Sequence, residues 1–390
     1  MRKSCCVSTL LTFCFVAFGR ADVSVLVGSA GCDADDSGCR EGTDAAEQQV
    51  LEVLVDGDGK ITTGSRNFSS GGRPVWLVSD PASGCLIATL ADKDMLYTSG
   101  HGHSSLTSSG GKAPVFAAVA NSGTPTLLVA NYHGPDDISS SEGSGVAAFA
   151  INKADCTLKL VDVKPHNGSS VDPKRQRSSH VHSVVPGRHG LAYACDLGMD
   201  TITVYVVGVD GTLTEVSSTA VRPGSGPRHA VEHPTLPMVF VVNEMGQSVS
   251  SLRFVAGGGL EVAQEVILAK GGAASRGSKA AELVISADGS QLYATNRGLE
   301  NTVTAYAVKE SGELQHLKTV EAPAYPRGMT LLPDGKLLVA GQSESSLWTY
   351  SSSLEHLGTL ELAQRLPHPA ALAVVQENSA PSVEDLVLAL

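Results

Sequence analysis

An acidic chain with few cations sets a small group of residues that could do chemistry at recurring places. They are His180 and His182, Arg228 with His229, Glu244, Glu282, Asn296 with Arg297, and Arg327. Arginine presents a planar fork that grips carboxylate or phosphate at two points and stays protonated. A glutamate or histidine beside it could supply the acid or base of a hydrolysis. His180-Val181-His182 puts two rings on one side of an extended segment, a spacing that could hold a metal. No third ligand accompanies it, so hydrogen bonding or proton transfer is expected instead, with no metal and no organic cofactor. Asp196, Asn131 and His133 follow apolar runs, and Asp196 and Asn131 equally suit backbone bonding in loops. Arg228 could equally serve only to pair with Glu244. His101 and His103, in a Gly/Ser stretch, and the run Lys174-Arg175-Gln176-Arg177 read as solvated loops.

The elements that must position these groups are short strands. The 390 residues are 42% hydrophobic, 17% charged and 5% aromatic, with 41 glycines. That usage excludes a long coiled coil and a charge-driven disordered chain, and suits strands joined by tight turns. A formal charge of −12 argues against a general grip on nucleic acid. A bound anion would need a local cluster of cations.

From about residue 75 the chain repeats itself. The clearest unit, Ala280–Glu321, reads strand, Asp-Gly turn, strand, loop, strand, turn, strand. The same order recurs over His182–Ser218, His229–Val266 and Pro326–Leu362. An earlier copy, Val115–Val163, carries an inserted loop at Pro135–Gly145. Val75 to about Gly111 is a copy whose outer half is hard to see. A seventh unit needs both ends of the chain: Ala370–Val375 as innermost strand, with Val23–Ala30, QQVLEVL and KITTG as the others. The expected fold is an all-β, seven-bladed β-propeller of four-stranded antiparallel blades, closed by N- and C-terminal strands sharing one blade.

Topology then sorts the polar residues. Those just before first strands (His180, His182, Arg228, His229, Glu282, Arg327) share a face with those just after second strands (Asn131, His133, Asp196, Glu244, Asn296, Arg297). The turns at Asp288-Gly289 and Asp334-Gly335 fall on the opposite face.

At the N-terminus, Arg2 and Lys3 precede an apolar stretch from Val7 to Phe18 and small residues at Gly19 and Ala21. This reads as an export signal over 1–21, too short to span a bilayer. The expected domain is 22–380, with a tail at 381–390 and no membrane span in the mature chain. A secretory route is expected if the signal is real, and a cytoplasmic location otherwise. The acceptor triplets at Asn67 and Asn167 are compatible with export. Of the remaining cysteines, Cys32 and Cys39 could pair in an oxidising compartment, while Cys195 reads as a buried free thiol. The pairing among Cys32, Cys39, Cys85 and Cys156 stays open.

The segments VANYHG, HVHSVVPGRHGLAYACDLG, GSGPRHAVEHP with FVVNEMG, and AAELVISADGSQLYATNRG resemble the lactonase family of seven-bladed propellers. That family includes a propeller-type 6-phosphogluconolactonase and a carboxy-muconate cyclase. The resemblance covers about residues 23–376. It implies that His182, Arg228, Glu244 and Arg297 match the family's active-site positions. The implied reaction is opening of a sugar δ-lactone, a small anionic substrate. Arg297 with Arg327 would hold the anionic tail, and Arg228 would face the oxygen that gains charge. Glu244 or His182 would be the base, with His180, His229, Asp196, Asn131 and Glu282 nearby. The rivals are a muconate-type cyclase and a non-catalytic secreted binding module. A monomer or weak homodimer is expected.

Overall fold

A computed structural model describes residues 22–30, 48–132, 143–268 and 277–375. The expected signal at 1–21, the pair Cys32 and Cys39, His133, most of the inserted loop and the tail at 381–390 lie outside the described residues. The described chain forms seven four-stranded antiparallel sheets. Blade 1 comprises Pro74–Asp80, Cys85–Leu90, Met95–Gly100 and His103–Ser108. Blade 2 comprises Pro114–Ala120, Thr126–Asn131, Gly145–Ile151 and Leu158–Pro165. Blade 3 follows with Val181–Pro186, Leu191–Asp196, Thr201–Val207 and Leu213–Ala220. Blade 4 has Pro227–Glu232, Met238–Asn243, Ser248–Phe254 and Leu260–Ile267. Blade 5 has Ser278–Ile285, Gln291–Gly298, Thr302–Val308 and Leu314–Glu321. Blade 6 has Pro326–Leu331, Leu337–Gly341, Ser346–Tyr350 and His356–Glu361. In blade 7 the C-terminal Pro369–Val375 pairs with Val23–Ser29, followed by Gln49–Val55 and Ile61–Ser69.

Strand chemistry changes from the axis outward. The second strand of blade 4, Met238–Asn243, is apolar and buried along its length, because neighbouring blades cover both faces. The outermost strand, Leu260–Ile267, buries Leu260 and exposes Glu261, Val262 and Ala263. Seven hydrophobic clusters sit at the seven blade interfaces. The cluster between blades 3 and 4, for example, packs Tyr193, Cys195 and Val204 against Val239, Val241 and Leu252. Blade 1 is complete where the sequence looked degenerate. Its outer strands are MLYTSG and HSSLTS, and the second is serine-rich because it faces solvent at most positions. His103 therefore opens a strand, and His101 sits in the tight turn before it, with φ +51°.

One irregularity recurs in every blade. Each innermost strand slips register against its partner near its first residues. The extra residue of this bulge is Val75, Val115, His182, Arg228, Arg327 or Ala370 in six blades, and Ala281 with Glu282 in blade 5. A bulge re-aims a side chain away from the strand's regular alternation. Four of the expected site residues, His182, Arg228, Glu282 and Arg327, therefore occupy corresponding places in the successive blades 3 to 6.

Ring closure rests on the pairing of Val25, Leu26 and Val27 with Val374, Ala373 and Leu372. A chain ending at His368 lacks that inner strand. It is expected to lose the single cooperative thermal transition of the full chain, measured by circular dichroism and calorimetry.

Candidate active site

The backbone of Glu244 is pinned between two blades: its N–H donates to Gly226 O at 2.7 Å and its carbonyl accepts from Ala280 N at 3.0 Å. The carboxylate is thereby fixed just past the second strand of blade 4, almost wholly buried. Three guanidinium groups converge on it. Arg175 Nη2 lies 2.8 Å from Oε1, Arg297 Nη2 3.0 Å from Oε2, and Arg228 Nε 3.3 Å from Oε2. Burial alone would raise the Glu244 pKa. Arg175, Arg297, Lys279 and Arg228 prevail and hold it well below the usual carboxylate range. A carboxylate so stabilised is a weak base.

Arg228 is itself buried. Desolvation, with the charges of Arg297 and Arg327 beside it, lowers its pKa to about 10, so it remains charged at neutral pH. Its Nη1 donates to Ala281 O at 2.6 Å, and its ion-pair contact with Glu244 is through Nε. Arg297 stacks over Tyr325, its guanidinium carbon 5.0 Å from the ring centre. Arg327 is half-buried, and its charge also lowers the pKa of both His182 and His229.

His182 is buried beside this cluster. Desolvation first, then the charge of Arg228, holds its pKa well below the ordinary histidine value, so the ring is neutral. Its Nδ1 has no hydrogen-bond partner among the described residues. The ring centre lies 5.1 Å from that of His229, which lies 5.2 Å from Trp76 and 5.2 Å from Phe116. These four rings come from blades 1 to 4 and can meet only at the ring axis, where they close the channel beneath Arg228. His229 Nδ1 pairs with Glu282 Oε1 at 2.7 Å, extending the plug to blade 5.

The remaining expected residues sit at the margin. Asp196 Oδ1 accepts from the backbone N–H groups of His180, Gly198 and Met199, and Oδ2 lies 2.9 Å from His166 Nδ1. Asp196 thus fastens the loop after its strand. The His180 ring bonds Tyr132 O and stacks on the Tyr132 ring with centres 4.6 Å apart. Asn131 Nδ2 donates to Ser109 O, tying the second strand of blade 2 to the linker that leaves blade 1.

Arg175 and Tyr132 have no counterpart in the sequence expectation. The basic run is solvated only at Lys174 and Arg177: Asp172 Oδ1 accepts from the N–H groups of Lys174 and Arg175, and buried Gln176 donates to Leu197 O. That turn aims Arg175 inward to Glu244 and to Tyr132 Oη at 3.2 Å. The Asp-x-Lys-Arg pattern was the available signal.

The profile described as "Lactonase, 7-bladed beta-propeller" matches residues 41–376. The chain belongs to the lactonase family of seven-bladed β-propellers. Among relatives of this lactonase-family propeller, the 6-phosphogluconolactonase of Bacillus subtilis is 26% identical over 256 residues, 64% of this chain and 70% of that one. An uncharacterized protein of Lactococcus lactis is 28% identical over 295 residues, 71% of this chain and 83% of that one. The solved periplasmic gluconolactonase of Pseudomonas aeruginosa shares the fold at 24% identity, with a TM-score of 0.76, covering 91% of this chain and 99% of that one.

Glu244→Gln removes the charge that three guanidinium groups share. It is expected to cost about 3–5 kcal/mol of stability, read by urea denaturation. Because the folded pKa of Glu244 is depressed, its contribution is present above the ordinary carboxylate range and lost as pH falls through the folded value. The gap between wild type and variant should therefore be constant from neutral pH down to near the ordinary glutamate value of 4.5, and narrow progressively below it.

Proposed function

We propose that this propeller hydrolyses a sugar δ-lactone, with a phosphorylated gluconolactone as the nearest analogue. The observation that carries the reading is a buried neutral imidazole, His182, beside guanidinium groups held in place by Glu244. In a neutral imidazole one nitrogen keeps its lone pair, so His182 is the better base, while Glu244 is held too acidic to serve. Both pKa directions support His182 over Glu244 as the base.

In the reaction, water attacks the lactone carbonyl carbon as His182 takes its proton. The carbonyl oxygen gains charge facing Arg228, whose position is fixed by Ala281 O and Glu244 before substrate arrives. Collapse of the tetrahedral intermediate breaks the bond from that carbon to the ring oxygen, which leaves with the proton from His182. Arg297 and Arg327 supply charge for an anionic tail. The relatives named as 6-phosphogluconolactonases support this substrate class. The Cys85–Cys156 disulfide supports passage of the chain through an oxidising compartment.

The test compares hydrolysis of fresh 6-phosphogluconolactone and unphosphorylated gluconolactone. Arg228→Ala should lower kcat/KM by about 10²–10³-fold, as for loss of one oxyanion donor. An undiminished rate in that variant would end the reading. Since the His182 pKa is depressed, kcat/KM should stay level as pH falls through 6.5 and decline only below it. A decline centred on the ordinary histidine value would exclude His182 as base.

A further inference from the structure

The His101/His103 pair singled out in the sequence has no place in the candidate active site. In each blade the turns joining strands one to two and three to four lie on the opposite face of the ring. Three of those turns, from two blades, bring Cys85, His101 and Cys156 together. Cys85 begins the second strand of blade 1, His101 stands in the hairpin between its third and fourth strands, and Cys156 stands in the matching hairpin of blade 2. The two sulfurs and one imidazole nitrogen lie within 4.8 Å of one another, and no other such group occurs among the described residues.

The local backbone is shaped for this approach. Gly100 leaves the space in which a Cβ would come within 2.5 Å of Cys156 Sγ, and Gly84 that in which one would meet His101 Cε1 at 3.2 Å. His101 and Cys156 both hold left-handed backbone, with φ +51° and +60°. His101 Nε2 lies 2.8 Å from Ser83 O. A metal-bound imidazole commonly donates its second N–H to such a carbonyl, which leaves Nδ1 as the ligand atom. Both cysteines are buried and His101 is exposed, so the cluster opens to solvent on the histidine side.

In this structure the two cysteines form a disulfide with Cα atoms 5.6 Å apart. We propose that, when this disulfide is reduced, Cys85, Cys156 and His101 bind a thiophilic divalent cation of the zinc type. A zinc tetrahedron of two sulfurs and one nitrogen has ligand–ligand edges of about 3.5–3.8 Å, within reach of the observed cluster. A thiol reductant supplies two electrons and two protons, breaking the S–S bond and becoming a disulfide itself. The cation then displaces both thiol protons to solvent and is held by two thiolates and a neutral imidazole, with water as fourth ligand. The seam between blades 1 and 2 is thereby fastened by a covalent bond in oxidising surroundings and by a metal in reducing ones. Cys195, by contrast, is buried with no histidine or carboxylate set around it, and burial raises its thiol to about 12.

The site is remote from the lactone chemistry, and its test reads metal binding alone. Full-length protein is reduced, freed of reductant under anaerobic conditions and titrated with Co²⁺. The expected result is a thiolate-to-cobalt charge-transfer band that saturates at one equivalent, is displaced by Zn²⁺, and is absent from oxidised protein. The double variant Cys85→Ser/Cys156→Ser, which keeps every other cysteine, should lose the band. His101→Ala keeps the disulfide and should weaken Co²⁺ binding by at least about tenfold. If the double variant does not fold, as judged by its melting transition, the His101→Ala comparison decides. A reduced protein with no saturable band, or full-strength binding in His101→Ala, would overturn the proposal.

Discussion

One buried carboxylate holds the centre of this molecule together. Three guanidinium groups reach Glu244 from the loop before blade 3, from blade 4 and from blade 5. Each buried arginine would be costly alone, because desolvation penalises an unpaired charge by several kcal/mol. The shared carboxylate lowers that cost without cancelling the charge. Three positive groups against one negative leave the cluster electropositive, and this adds to the larger effect of burial in holding His182 neutral and Arg228 below its usual pKa. Burial and this charge imbalance act in the same direction on both groups.

The ring supplies that imbalance by breaking its own symmetry at one structural place. The bulge near the start of each inner strand is common to all seven blades, so the fold offers seven equivalent positions around the channel mouth. Blades 3, 4 and 6 fill them with His182, Arg228 and Arg327, while blades 1, 2 and 7 fill them with Val75, Val115 and Ala370. One side of the mouth, with Glu282 of blade 5 between the arginines, is polar and charged, and the other is apolar. On the reading proposed above, the charged end of an anionic sugar derivative would meet the first side and its weakly polar ring face the second.

The ring and its polar face were legible because both depend on periodic sequence. Alternating apolar runs, Asp-Gly turns and a fixed repeat length identify a propeller without reference to any single contact, and strand direction then assigns residues to a face. Those signals weakened in two places for physical reasons. The outer half of blade 1 is half solvent-exposed, so its strands need no apolar alternation and MLYTSG and HSSLTS gave none. Arg175 lies in a linker outside the repeat, and its inward aim depends on Asp172 bonding two backbone N–H groups. A basic run carries no record of that turn until Asp172 is read with it. The Cys85–Cys156 pairing was hidden likewise, since it joins turns of two blades 71 residues apart.

The surroundings of the two buried histidines differ in a way that bears on the proposed proton transfer. Both rings are buried and both have depressed pKa values. His229, however, is wedged between Trp76 and Phe116 and gives its Nδ1 to Glu282, so its hydrogen-bonding capacity is spent on closing the channel. His182 stands one layer nearer the mouth, at the bulge, with Nδ1 unpartnered among the described residues. A buried nitrogen without a partner costs stability and is retained only where something else needs it. On the reading proposed above, that unpartnered nitrogen is the place where a water's proton can go.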